Sequence, residues 1–316
     1  MADVGSWVDV DWSAHVHDVI IGGRVLRYLD YGEGPPLLLV HGMAGSWQTW
    51  LLNLEALGEH HRVIAVDLPG FGGSQPLAAG SGFSGYVNIL RSLLDELGLE
   101  RAAVFGHSLG GLVALSFAVA RPERTACLVL VSAGGVELSV GRLRIIQAAF
   151  WLFRLLLVTP GVRRALVRGN GGRFVLSPAV HLWRALPLEL VDQMMPRAIS
   201  SGFMEAVRFG SEQLRELAPE RVDAPTLVVW GRRDRILPLA AGRELVARLR
   251  RAELVVMNDV GHCAMFEDPV GFDGLALEFL KKVRASGGHR SPSGAAREWM
   301  TENGETAGRY GDGTVG

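Results

Sequence analysis

Three residues of this 316-residue chain could together break a bond at a carbonyl carbon: Ser108, Asp234 and His262. Ser108 lies in Phe105-Gly106-His107-Ser108-Leu109-Gly110-Gly111, with an apolar run before it and a small, apolar run after it. A serine hydroxyl is a poor nucleophile at neutral pH. It needs a histidine to take its proton and a carboxylate to orient that histidine. Asp234 follows the apolar run 226–230 in Gly231-Arg232-Arg233-Asp234, and His262 follows the run 254–257 in Asn258-Asp259-Val260-Gly261-His262. Serine, acid and base therefore each come directly after a segment that reads as a buried strand.

The other candidates fit less well. No carboxylate occurs near Ser132 until Glu137, Asp259 is too close to His262 along the chain to reach around it, and Asp67 lies in a glycine-marked turn. His41 opens a glycine loop and is expected to brace it. His15, His17, His60 and His61 precede the loops of the sheet or sit on a helix end, His107 points off the elbow itself, His181 lies in the segment 136–217 and His289 in the tail. An oxyanion needs fixed N–H donors. The residue after the nucleophile, Leu109, and the loop after the run 37–40, through Met43, are expected to supply them.

The elements that must hold these residues follow a regular rhythm. His17 to Tyr31 reads as two short strands around Gly22-Gly23. Leu37–Val40, Val63–Val66, Ala102–Phe105 and Leu128–Val131 are continuous apolar runs, as strands buried on both faces should be. Helical spacing occupies 46–60, 86–97 and 112–120 between them. A strand, a helix and a strand return over 226–257, and a last helix spans 269–283. Such alternation predicts a parallel sheet covered by helices on both faces. Right-handed crossovers place the loops after its strands at one edge, where ligands of such sheets bind. Between 136 and 217 the patterns are helical with no convincing buried strand. Residues 286–316 are rich in Gly, Ser and charge and read as a disordered tail.

Composition narrows the function classes. With 48% hydrophobic and 21% charged residues and a net charge of −1, the chain reads as a globular protein with no basic surface suited to nucleic acid. Two cysteines, Cys127 and Cys263, make no disulfide framework, and the N-terminus lacks a signal-peptide pattern, so a cytoplasmic protein is expected. Leu143–Val158 is strongly apolar, but it is shorter than the roughly 20 residues of a span and is interrupted by Arg144 and Arg154. It reads as a buried or interfacial helix, with transient membrane-surface contact open. No metal motif, phosphate loop or dinucleotide fingerprint is present, and no cofactor is expected. The oligomeric state is not legible.

Together, His41-Gly42, Asp67-Leu68-Pro69-Gly70-Phe71-Gly72, Gly106-His107-Ser108-Leu109-Gly110-Gly111, Gly231-x-x-Asp234 and Gly261-His262 resemble the α/β-hydrolase family over roughly residues 17–284. The resemblance implies a doubly wound, mostly parallel eight-stranded sheet with an inserted helical cap. The core would then be 1–135 with 218–285, and the cap 136–217. Ser108 sets the chain apart from the aspartate-nucleophile members. Among serine members it is similar to esterases and lipases, and also to the meta-cleavage-product hydrolases, which cut carbon–carbon bonds. The latter usually carry a tryptophan directly after the catalytic histidine, where this chain has Cys263. The expected activity is therefore hydrolysis of a small, apolar acyl or aryl carboxylic ester through an acyl-enzyme on Ser108. Carbon–carbon hydrolysis, cofactor-free haloperoxidase or perhydrolase activity, and a non-catalytic small-molecule receptor are the alternatives. Trp151, Trp183, Met194, Phe203 and Cys263 are the candidate substrate-pocket residues.

Overall fold

The computed structural model describes residues 6–135, 169–195, 202–286 and 296–299, with single positions at 141, 148, 151, 152, 155 and 161. One sheet organises it. Its strands are β1 (Val16–Ile21), β2 (Arg24–Tyr31), β3 (Pro36–Val40), β4 (Arg62–Val66), β5 (Ala102–His107), β6 (Thr125–Val131), β7 (Thr226–Gly231), β8 (Ala252–Met257) and β9 (Ala296–Trp299). They lie in the order β1-β2-β4-β3-β5-β6-β7-β8-β9. β1 pairs with β2, and β2 with β4, antiparallel; every pairing from β4 through β3 to β9 is parallel.

The apolar runs are continuous because both faces of the sheet are covered. Successive side chains point to opposite faces, so Leu37, Leu39, Phe105, Val129 and Val229 enter one core while Leu38, Val40, Val104, Leu130 and Trp230 enter the other. The first core is closed by α1 (Leu54–Gly58) and by α9 (Pro269–Ala285), which follows the short α8 (Ala264–Glu267). The second is closed by α2 (Ser84–Glu96), α3 (Leu109–Ala120) and α7 (Leu239–Arg248). Within 136–217 the described residues form α4 (Gly169–Leu176), α5 (Leu188–Met194) and α6 (Phe203–Glu216). Most of the apolar stretch 143–158 lies outside the described residues.

One expectation is corrected. The single helix over 46–60 is instead a 3-10 turn, Trp47–Trp50, followed by the short α1. Its start is tied down by Asp67, which accepts the Trp47 N–H at 2.7 Å. At its middle, Asn53 turns inward to bond the Met265 carbonyl and the Asp273 carboxyl. Tertiary bonds thus outweigh helical spacing. The eight-stranded, mostly parallel sheet is present as β1–β8, and Ala296–Trp299, from the stretch 286–316, adds a ninth strand parallel to β8. Four residues among glycine, serine and charge carry no strand pattern. The sheet edge supplies the partner.

Candidate active site

Ser108 stands between β5 and α3 with φ 52° and ψ −113°. A non-glycine residue in that region is strained. The strain is held by its surroundings: the Ser108 N–H donates to the Val131 carbonyl at 3.0 Å, and the Ser108 carbonyl accepts from Gly134 at 2.9 Å. Gly110 is required by the same turn, since a Cβ there would sit 2.3 Å from the Val40 carbonyl oxygen. Ser108 is half-buried while its neighbours His107 and Leu109 are buried, so its hydroxyl remains reachable.

The loop after β3 lies directly on this elbow. A Cβ on Gly42 would come within 2.6 Å of His107 Nδ1 and 3.1 Å of Ser108 Cβ. Ala44, two residues on, adopts φ 58°. Among the described residues, neither the Met43 nor the Leu109 N–H has a carbonyl acceptor. Leu109 is also the first residue of α3, where the unpaired N–H groups and the helix dipole favour negative charge. His41 fixes the loop from within. Its Nδ1 meets the Gly42 carbonyl at 2.7 Å, and its Nε2 accepts the Leu68 N–H at 2.9 Å. Full burial lowers its pKa to about 4, so it is neutral and structural. Asp67 takes the Trp47 and Gly73 N–H groups, each at 2.7 Å, which makes it a turn residue.

Asp234 and His262 meet as the spacing predicts. His262 Nδ1 and Asp234 Oδ2 are 2.8 Å apart, and both side chains are buried. The other carboxylate oxygen accepts the Ile236 and Leu237 N–H groups at 2.8 and 2.9 Å. Those bonds fix the carboxylate and leave Oδ2 for the imidazole. The two loops touch backbone to backbone: a Cβ on Gly231 would lie 1.9 Å from the Gly261 carbonyl oxygen. Only glycine allows that approach. His262 is tied to the elbow through His107, whose ring centroid is 4.9 Å from its own and whose Nε2 reaches the His262 carbonyl at 3.1 Å. Burial, with the facing His262, holds the His107 pKa well below the usual value. As a neutral ring, it donates that bond.

One participant escaped sequence reading. Glu267 accepts the His181 and Leu182 N–H groups at 2.7 and 2.9 Å through one oxygen, and the Cys263 N–H at 3.2 Å through the other. The His262 N–H in turn donates to the Ala179 carbonyl at 2.9 Å. The segment Ala179–Leu182 is thereby clamped to the loop that carries His262. Burial raises the Glu267 pKa against these bonds. Its one sequence signal is its place directly after the apolar run Ala264-Met265-Phe266, in the pair Glu267-Asp268.

The candidate pocket residues scatter. Cys263 is buried beside His107, with Sγ 3.9 Å from its Nε2, and burial pushes its thiol pKa well up. Met194 and Trp183 pack partly buried against the first core, and Trp183 meets Phe174 edge-on. Trp151 is 58% exposed. The Phe203 side chain lies outside the described residues. Among the described residues, no cluster of histidine, cysteine and carboxylates could hold a metal ion.

The chain is similar to known proteins over most of its length. A family model described as the alpha/beta hydrolase fold matches residues 35–269. A 2-hydroxy-6-oxononadienedioate/2-hydroxy-6-oxononatrienedioate hydrolase from Pseudomonas putida is 32% identical over 268 residues, covering 81% of this chain and 91% of the relative. A solved meta-cleavage product hydrolase from Pseudomonas fluorescens IP01 is 26% identical with a TM-score of 0.67, covering 84% of this chain and 97% of that one. A solved membrane phospholipase A, described as a bacterial virulence factor, is 27% identical with a TM-score of 0.68, covering 89% and 91%.

Proposed function

The chain belongs to the α/β-hydrolase fold family, and from that premise we propose that it is a serine hydrolase of the meta-cleavage type, cutting a carbon–carbon bond beside a ketone. The observation that carries the hydrolase reading is the His262–Asp234 pair at 2.8 Å, joined through His107 to the strained elbow of Ser108. Ser108 Oγ attacks the carbonyl carbon as His262 takes its proton. The Met43 and Leu109 N–H groups receive the oxyanion. His262 then protonates the departing carbon, and Asp234 holds the imidazolium in place. Water, activated by His262, releases the acid from Ser108.

The choice of bond is supported by the relatives, which are named for dienedioate substrates and match four-fifths of the chain at about one-third identity. A carbon leaving group must hold an electron pair. A dienol ketone acid can do so by conjugation, and that is the substrate class proposed. The segment 136–217 is proposed as the cap that selects it.

Sequence motifs alone put carboxylic esters first, and the relatives reverse that order. Esters remain the second reading for one reason: Cys263 stands where meta-cleavage hydrolases usually carry tryptophan. The experiment is to offer a dienol ketone acid and a series of chromogenic esters side by side, with Ser108→Ala as control. Faster turnover of the dienol ketone acid supports the proposal. Ester turnover alone selects the second reading, and undiminished activity in Ser108→Ala refutes both.

A further inference from the structure

The main chain on both sides of His262 is pinned from three directions. The His262 N–H donates to the Ala179 carbonyl at 2.9 Å. The His262 carbonyl accepts from His107 Nε2 at 3.1 Å. The next N–H, that of Cys263, donates to Glu267 Oε1 at 3.2 Å. Glu267 also supports the first of these bonds, because its other oxygen takes the His181 and Leu182 N–H groups, at 2.7 and 2.9 Å, just after Ala179. One carboxylate therefore governs two of the three bonds that fix the backbone of the base.

We propose that Glu267 is a positioning residue for catalysis: by joining Ala179–Leu182 to the His262 loop, it sets the imidazole where it takes the Ser108 proton. The inference rests on the serine-hydrolase reading, and not on which bond Ser108 breaks. Both Glu267 oxygens are taken up by backbone N–H groups, so it acts through His262 rather than on the substrate.

The chemistry of the clamp suits this task better than that of a packing contact. Glu267 is only 9% exposed, and burial disfavours its charge. What opposes burial is four backbone N–H groups, those of Leu182, Gly261, Cys263 and His181. A buried carboxylate is a costly way to fill space, since an apolar side chain does so without losing hydration. Its bonds are directional, however, and hold the backbone to a defined geometry as apolar contact does not. The approach that it bridges is also close. An ideal Cβ on Gly261 would lie 2.8 Å from the His181 nitrogen, 2.9 Å from the Ala179 oxygen and 3.0 Å from Glu267 Oε1. The two segments thus meet main chain to main chain, where a displacement of one moves the other. A misplacement of about 1 Å at a reacting group can cost about 100-fold in rate. Because Ala179–Leu182 belongs to the segment 136–217, the clamp makes the setting of the base depend on how that segment sits.

The test is the rate at which a fluorophosphonate labels Ser108 in the full chain. Ser108 Oγ attacks phosphorus, His262 takes the proton and fluoride leaves, so the rate reads the base with no natural substrate required. Glu267→Gln should label about 100-fold more slowly, with the loss in the maximal rate and not in the half-saturating probe concentration. Glu267→Asp keeps the charge on a shorter side chain and should label at an intermediate rate. Leu94→Ala is the stability control. Leu94 is fully buried in α2, at the end that leads into the start of β5 and so at the sheet edge opposite the triad. Its loss should lower the melting temperature and leave the labelling rate unchanged, because lost folding lowers the fraction labelled whereas a displaced base lowers the rate. Labelling at the wild-type rate by Glu267→Gln, or by Glu267→Asp where the glutamine variant does not fold, overturns the proposal. So does equal slowing in Leu94→Ala. A wild-type protein that does not label, or a Ser108→Ala variant that labels to the same extent, overturns the serine-hydrolase reading and the inference with it.

Discussion

Replacing Asp273 by asparagine should stabilise the protein at neutral pH, by an amount that grows with pH. Asp273 lies in α9 beneath the His262 loop, only 6% exposed. Its Oδ1 accepts from Asn53 Nδ2 at 3.0 Å, and the same amide donates to the Met265 carbonyl at 2.8 Å. Burial is the main cause that raises its pKa to about 8, with repulsion from Asp268 adding to it. An unfolded aspartate titrates near 3.9. Between those values the folded protein binds the proton that the unfolded chain releases, so stability falls as pH rises through that window. At pH 7 the gap is about three pH units, which corresponds to roughly 4 kcal/mol of lost stability. Asparagine is neutral at every pH and keeps the oxygen that accepts from Asn53. Urea denaturation of both proteins at pH 5, 7 and 8 checks this. The advantage of Asp273→Asn should be about 1–2 kcal/mol at pH 5 and should approach roughly 4 kcal/mol at pH 7. An advantage that is the same at all three values, or a less stable variant at pH 8, would refute the reasoning.

Further expectations concern the site. Asp234→Asn leaves the Ile236 and Leu237 bonds in place but turns the imidazole to the wrong tautomer, so kcat should fall about 10⁴-fold with an unchanged melting curve. Gly42→Ala pushes a methyl group into His107 and Ser108 Cβ. It should lower kcat at least 100-fold by moving the loop proposed to hold the oxyanion, and steady-state kinetics showing wild-type kcat would count against that role of the loop. Glu267→Gln replaces an acceptor oxygen with a donor facing backbone N–H groups, and should cost about 1–3 kcal/mol in denaturant melts. Glu267→Asp, which keeps the charge, should recover part of that loss. His41→Phe removes the acceptor of the Leu68 N–H; it should destabilise the fold by about 1–3 kcal/mol, while the pH profile of turnover keeps its shape because His41 is already neutral.

Ser108, Asp234 and His262 were legible as candidates before any coordinates because they sit at strand ends, and strands buried on both faces announce themselves as unbroken apolar runs. Gly106, Gly110 and Gly231 marked the turns, since only glycine admits the neighbouring backbone there. Chain order thus located Ser108, Asp234 and His262 and named the fold. What periodicity could not supply were bonds between distant segments. Asn53 broke the expected helix over 46–60 by reaching Met265 and Asp273, more than 200 positions away. Ala296–Trp299 became a strand only because β8 offered an open edge. Glu267 looked like one carboxylate among many until folding set the His181, Leu182 and Cys263 N–H groups around it. Local sequence determines turns and strands because their constraints are steric and span a few residues. The tertiary structure alone decided which buried polar groups meet, because each must find its partner wherever the packed chain happens to place one.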